Sequence, residues 1–202
     1  MKASRIVIFF FLFGMVMGSC KNQEKEPEVK QVESTVNEVE IPEKKELTEQ
    51  DKSILNSVFS KVMTTVELKT FARASVTANL AEMLSKEKGP YTVFAPSNKA
   101  FEALTKEQMN VLQNPAKKQD LITLLKSHII PQNLTSADIV QSLKNQETLE
   151  FKAMAGNSLK IKKDGMDLWV EDASGNTTKI GKSDILGGNG VVHVIDSVLT
   201  IK

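Results

Sequence analysis

Beyond residue 50, apolar residues first recur three or four positions apart, a spacing that is typical of amphipathic helices. The first group comprises Ile54, Leu55, Val58, Phe59 and Val62. A second predicted helix carries Phe71 and Ala74 and stops at Asn79, because asparagine tolerates the left-handed geometry that ends helices. A third begins at Leu80 and ends before Gly89-Pro90.

A short apolar strand then interrupts the helices at residues 91–95, and Pro96 ends it. Ser97 can cap a following helix, and Thr105 with Gln108 has the spacing of a capping box. Pro115 suits the first turn of a further helix. The apolar face predicted for that helix consists of Leu121, Leu124, Leu125 and His128.

The second half alternates apolar and polar residues, which predicts strands. The alternating pairs are Leu149 and Phe151, Leu159 and Ile161, and Leu168 and Val170. Glycine-containing turns at residues 155–157, 164–165 and 174–176 separate them, and a last strand is predicted from Val191 to Ile201. Helices followed by strands predict an α+β fold.

The N-terminus has the pattern of a targeting segment. Residues 1–19 carry Lys2 and Arg5, then an uncharged run over residues 6–17 that is too short to span a membrane. Residues 17–20, Met-Gly-Ser-Cys, resemble a bacterial lipobox, in which the cysteine is acylated. We therefore predict a signal peptide over residues 1–19 and a lipid anchor on Cys20, which would bind membrane lipid.

Residues 20–50 are predicted to be a disordered acidic linker, because they lack aromatic residues and are rich in glutamate. Residues 51–202 then form one predicted domain. Its charges are nearly balanced and no concentrated basic patch stands out, so we expect no nucleic-acid partner.

Two segments of this domain resemble the signatures of the fasciclin family. The first is residues 89–101, Gly-Pro-Tyr-Thr-Val-Phe-Ala-Pro-Ser-Asn-Lys-Ala-Phe, and the second is residues 189–199, Asn-Gly-Val-Val-His-Val-Ile-Asp-Ser-Val-Leu. Between them, residues 124–131 resemble the family's central tyrosine–histidine segment, although Ser127 stands where the tyrosine usually is.

The resemblance implies a wedge-shaped β-sheet core with a group of helices packed at one edge. It also implies that the two signature strands lie side by side. The residues expected to carry this structural signature are Thr92, Val93, Phe94, Ala95, Pro96, Phe101, Gly190, His193, Val194, Asp196 and Leu199.

In some animal members of the family the central segment is implicated in integrin binding. By this resemblance His128, Ile129, Ile130 and Pro131 form a candidate partner-binding segment. Integrin binding itself is not expected of this chain, since the aromatic residue is replaced by Ser127.

His128, His193 and Asp196 could alternatively form a metal or acid–base site. Buried neutral histidines bonded to the backbone are the commoner case, so we predict no catalytic residues, no metal and no cofactor. Lysines could instead form a basic face for anionic polysaccharide, namely Lys144, Lys152, Lys160, Lys162 and Lys163. They could equally be a solvated sheet face.

The predicted protein is therefore a lipid-anchored binding or adhesion module rather than an enzyme. It is expected outside the cytoplasm at the outer membrane, on the periplasmic face or the cell surface. Its expected partner is a cell-surface protein or polysaccharide. The alternatives are a cell-envelope enzyme or a small-ligand carrier that uses the region of His128 and His193.

Overall fold

A computed structural model describes residues 46–200. The predicted signal peptide, Cys20 and most of the predicted linker lie outside these residues. The α-helices are α1 (Glu49–Leu55), α2 (Val58–Thr64), α3 (Lys69–Thr77), α4 (Ala81–Lys86), α5 (Asn98–Glu102), α6 (Lys106–Gln113), α7 (Lys118–Lys126) and α8 (Ser136–Ser142). None of these described helices is long and apolar enough to cross a membrane.

The described strands form two four-stranded sheets. They are β1 (Tyr91–Pro96), β2 (Ile129–Ile130), β3 (Thr148–Lys152), β4 (Ser158–Asp164), β5 (Asp167–Glu171), β6 (Thr177–Lys179), β7 (Ile185–Gly187) and β8 (Gly190–Ile195). The first sheet has the order β2-β1-β8-β7, and the second is the antiparallel meander β3-β4-β5-β6. The predicted α+β fold class is confirmed.

The two signature strands lie side by side, as predicted. β1 and β8 are parallel neighbours along their whole length, from Tyr91 opposite Gly190 to Pro96 opposite Ile195. Every residue of β1 is buried, because the first sheet is covered on both faces.

Alternate residues of the two strands enter different hydrophobic cores. Val93 and Val192 pack with the helices, in a core that includes Phe71. Phe94 and Ile195 pack instead with the inner face of the second sheet and with α8. The paired signature strands therefore join the two halves of the core.

The second sheet confirms the predicted alternation. Leu159, Ile161 and Val170 are fully buried, whereas their neighbours along the strands face solvent. The predicted turns are present, and Gly156 and Gly175 adopt positive φ there.

The helical half departs from its predictions at several points. The apolar run predicted as one helix is two, α1 and α2, because Ser57 starts a new helix by accepting a hydrogen bond from the Ser60 amide. Residues 115–117 form a separate 3₁₀ turn before α7. His128 lies beyond the end of α7 rather than on its face, and α8 was not predicted.

The last strand is also shorter than predicted. β8 ends at Ile195, and the chain then leaves the sheet because other groups bind its backbone. The amide of Leu199 donates to the ring of His128, which follows α7. The amide of Thr200 donates to the carboxylate of Asp172, which follows β5.

Candidate functional site

The signature residues lie at the centre of the domain rather than around an open cleft. All but two of them are buried; Gly190 is half-buried and Asp196 is exposed. The buried ones are Thr92, Val93, Phe94, Ala95, Pro96, Phe101, His193, Val194 and Leu199. The signature residues therefore pack β1 and β8 into the core. The buried His128 and His193 are the side chains whose environment decides whether a metal or acid–base site is present.

His193 is fully buried in β8, and its ring stacks on Phe94 at 5.5 Å between centroids. The Asp184 amide donates to its Nδ1 over 3.3 Å. Nδ1 therefore carries no proton, and Nε2–H donates to the Leu134 carbonyl at 2.7 Å. Both ring nitrogens are thus occupied by the backbone of the segments on either side.

His128 is in the opposite tautomer from His193. The amide of Leu199 donates to Nε2 at 2.9 Å, so the proton is on Nδ1, which donates to the Leu124 carbonyl at 2.8 Å. Ser127 is buried beside it, and its hydroxyl donates to the same carbonyl. The position that the resemblance reserves for tyrosine therefore holds a small hydroxyl inside the core.

These environments disfavour a charged imidazole. Burial lowers the pKa of His128 to about 4 and also lowers the pKa of His193. A metal ligand or general base needs a free nitrogen lone pair. In both rings a backbone amide already occupies that lone pair, and no metal-binding cluster exists among the described residues. The arrangement therefore holds chain segments together.

The partner-binding segment predicted by resemblance is mostly inaccessible. His128, Ile129 and Ile130 are fully buried, and only Pro131 is exposed. Ile129 and Ile130 form β2, paired with β1, so their side chains belong to the two cores. Partner contact through this segment stays a prediction for Pro131 alone.

Thr92 holds the loop that follows β2. Its hydroxyl donates to the Gln132 carbonyl at 2.7 Å and accepts from the Leu134 amide at 2.9 Å. His193 binds the carbonyl of the same Leu134. Side chains of β1 and β8 therefore hold the amide and the carbonyl of one loop residue.

Asp172 fixes the segment after β8 from the second sheet. Its carboxylate accepts from the amide and hydroxyl of Thr200, and from the amides of Ser174 and Asn176. Burial would raise the pKa of Asp172, but the hydrogen bonds from Thr200 and Asn176 outweigh it and lower the pKa.

Two asparagines of the signatures have a role that the sequence prediction missed. Asn189 accepts from the Val58 amide at the start of α2 and donates to the Leu84 and Glu87 carbonyls at the end of α4. Asn98 accepts from the Thr70 amide and donates to the Val66 carbonyl. No local pattern signals such contacts, because the partners are distant in sequence.

An apolar groove of about 440 Å³ runs between α6, α7 and the segment after β8. Its apolar lining is Leu104, Val111, Leu124 and Val198, and its polar lining is Gln108, Asp120, Thr123 and Thr200. Leu124, which lines this groove, also supplies the carbonyl that accepts from His128.

The predicted lysine face is partly realised. Lys152, Lys160 and Lys162 lie on the solvent side of the second sheet. Lys163 pairs with buried Leu168 and so lies on the opposite side of the strand, and Lys144 follows α8. Lys179 of β6 joins the first three instead.

The chain resembles known proteins over most of its length. The Fasciclin domain family model matches residues 66–201. Protein sll1483 of Synechocystis sp. is 32% identical over 205 residues, which cover 98% of this chain and 96% of that protein.

A second relative, transforming growth factor-beta-induced protein ig-h3 of Sus scrofa, is 35% identical over 122 residues. This stretch is 60% of the present chain but only 16% of that longer protein. Among solved structures, a FAS1 domain pair from the insect cell adhesion molecule Fasciclin I matches with a TM-score of 0.56 and 16% identity. The match covers 72% of this chain and 51% of that one.

Proposed function

Because the chain belongs to the fasciclin domain family, we propose that it is a binding and adhesion module anchored to a membrane through an acylated Cys20. The observation that carries the proposal is the state of the buried histidines. Since both rings use both nitrogens to hold the backbone, the signatures maintain a scaffold and leave recognition to the surface.

The structural neighbour supports the same role, since Fasciclin I is described as an insect cell adhesion molecule. The enzyme alternative loses its proposed groups, because neither His128 nor His193 presents a nitrogen to solvent. The N-terminal pattern at residues 1–20 supports a location outside the cytoplasm, and Lys21, where aspartate does not follow the cysteine, supports the outer membrane.

Metabolic labelling with a palmitate analogue tests the anchor. The full chain should incorporate the label, and Cys20→Ala should not, because the thiol is the acceptor. Ser19→Ala is the matched control, since it keeps a small residue next to the cysteine and should be labelled. Label that survives Cys20→Ala would refute the anchor.

Binding is tested with residues 20–202 carrying Cys20→Ser, so that neither an acyl chain nor the apolar run at residues 6–17 drives adsorption. Titration onto isolated cell envelopes should give saturable binding that unlabelled protein competes away. Protease treatment and polysaccharide extraction of the envelopes then separate the two classes of partner. The module proposal fails if no saturable binding occurs to the envelopes or to either extract.

A small-ligand carrier is the second candidate, favoured by the apolar groove beside α6 and α7. Its volume is within the range of ligand pockets, although the groove is open to solvent. A solvatochromic apolar dye should bind with micromolar affinity, and Val111→Asp on the groove wall should abolish the binding. An unchanged dye affinity in that variant would exclude the groove.

A further inference from the structure

We propose that the solvent side of the second sheet binds a linear polysaccharide carrying acidic sugars, with Trp169 as its stacking platform. The inference rests on the proposed binding function and deepens it, because it names a face and a class of partner. The face comprises the outward residues of β3 to β6 around Trp169.

The strand register brings an aromatic ring between two lysines. Trp169, the only tryptophan of the chain, lies in β5 opposite Lys162 of β4 and Lys179 of β6. Its chain neighbours Leu168 and Val170 are buried, so the indole is on the solvent side. Directly opposed residues have Cβ atoms about 5 Å apart, which places the ring between two lysine stems.

The accessible part of this indole is carbon. The residue is half-buried, but its Nε1 is covered and has no hydrogen-bond partner among the described residues. An aromatic ring surface among polar side chains suits a ligand with one apolar face and a hydroxylated edge. A pyranose ring has this division between its C–H face and its hydroxyl groups.

The charges around the ring favour occasional acidic groups. Glu171 is shared by two lysines, with its oxygens 3.7 Å from the Lys160 ammonium and 3.4 Å from that of Lys162. One carboxylate against two ammonium groups gives this cluster an excess of positive charge on one side of Trp169, whereas Asp167 balances Lys179 on the other side. Ion pairs as exposed as these are weak, so a ligand carboxylate can compete for the lysines.

The same face also excludes a densely acidic partner. Glu150 stands opposite Lys160, and Asp167 is 2.8 Å from the Lys179 ammonium, so carboxylates alternate with the lysines. A uniformly anionic chain would meet these carboxylates at close range. A sugar chain offers hydroxyl groups, which donate to carboxylates and accept from ammonium groups, between its acidic substituents.

A concave surface extends the platform along the sheet. It encloses about 550 Å³ and is lined by Glu150, Ser158, Lys160, Glu171, Asp172 and the turn at residues 173–175. Lys160 and Glu171 belong both to this concave surface and to the charged residues around Trp169. One extended sugar chain can therefore contact the concave surface and the indole together. This concave surface supplies hydroxyl and carboxylate groups that can form hydrogen bonds with sugar hydroxyls.

The test is a titration of residues 20–202 carrying Cys20→Ser with hyaluronan oligosaccharides, in which acidic and neutral sugars alternate, using the fluorescence of the single tryptophan and calorimetry. These oligosaccharides should shift the emission and bind saturably. Neutral dextran and poly-L-glutamate should each bind at least about tenfold more weakly, because one lacks the acid and the other the sugar face.

Variants locate the site. Trp169→Ala should weaken binding about tenfold and Trp169→Phe less than about threefold, since phenylalanine keeps an aromatic ring. Lys162→Gln with Lys179→Gln tests the charges independently of the indole and should weaken both the binding and its salt dependence. Met166→Ala is the matched control, because Met166 is 98% exposed at the β4–β5 turn of the same sheet but outside the face.

Equal affinity for poly-L-glutamate would overturn the proposal, and so would calorimetric binding that survives Trp169→Ala in a folded variant. Saturable binding to cell envelopes that Trp169→Ala leaves unchanged would remove this face and keep the binding function. No saturable binding to envelopes would remove the proposed function itself.

Discussion

Protonation of His128 should destabilise the domain in mildly acidic solution. The ring is neutral in the fold because its Nε2 accepts from the Leu199 amide, and a proton there would face that N–H. Its other neighbours are Phe71, Ser127 and Leu124, and the nearest carboxylate influence comes from Asp172. No contact in this shell stabilises the charged ring enough to offset burial.

The magnitude follows from linkage. The folded pKa of His128 is about 4 against an ordinary value of 6.5, so the unfolded chain binds a proton that the folded domain does not. The free energy of unfolding therefore falls as the pH drops from 6.5 to 4, by about 3 kcal/mol in total for this group. His193 is shifted in the same direction and adds to the loss.

Carboxylates act in a different window. The pKa values of Asp138 and Asp172 are lowered, so their stabilising contributions persist until the pH falls below their ordinary value of 3.8. The pKa values of the exposed Glu82 and Glu107 are also lowered, from an ordinary value of 4.5, so the interval above pH 4.5 is the one that reports mainly on the histidines.

Urea unfolding followed by Trp169 fluorescence and circular dichroism, from pH 7.5 to 4.5, measures this effect. His128→Gln should be less stable at pH 7.5 by about 2 kcal/mol, because the substitution disturbs the hydrogen bonds to Leu124 and Leu199. Its free energy of unfolding should depend less steeply on pH, because the glutamine side chain does not titrate. His193→Gln is the parallel variant. A stability that is flat across this interval, or a His128→Gln variant with the original slope, would refute the reasoning.

Three further substitutions test the backbone contacts and hydrogen bonds that hold β1, β8 and the segments next to them. Gly190→Ala should reduce the yield of folded protein sharply, because φ is 149° there and a Cβ would overlap the Tyr91 backbone; wild-type thermal stability would contradict this. Thr92→Val should lower the free energy of unfolding by about 2 kcal/mol in urea titrations, since the Leu134 amide loses its acceptor. Asp172→Asn should increase amide hydrogen exchange at Thr200 by about tenfold or more while leaving β4 unchanged, and uniform exchange across the domain would argue against a local contact.

The elements predictable from the sequence are those whose cause is local. Ser97 caps α5, Thr105 and Gln108 form the capping box of α6, and Asn79 adopts a φ of 58°. Each depends on residues within one turn of the chain. α8, which is absent from the sequence predictions, also begins with a capping box, from Thr135 and Asp138, so its cause is local too.

Long-range contacts account for what was missed. The break between α1 and α2 is fixed in part by Asn189, whose side chain accepts from the Val58 amide across the domain. The amide partners of the histidines likewise come from distant segments, so their burial was expected but their tautomers were not. The resemblance supplied the pairing of β1 and β8, whereas the aromatic and lysine row around Trp169 emerged only from the register of the second sheet.

The central position of β8 sets the order in which the chain can mature. β8 is the last described strand in the sequence, yet it lies between β1 and β7 and contributes to both cores. A ribosome must therefore synthesise residue 195 and beyond before the first sheet can close, and β1 has no parallel partner until then. The first sheet of a nascent chain therefore stays open until β8 has been synthesised, although the antiparallel strands β3 to β6, whose contacts are local, can pair earlier.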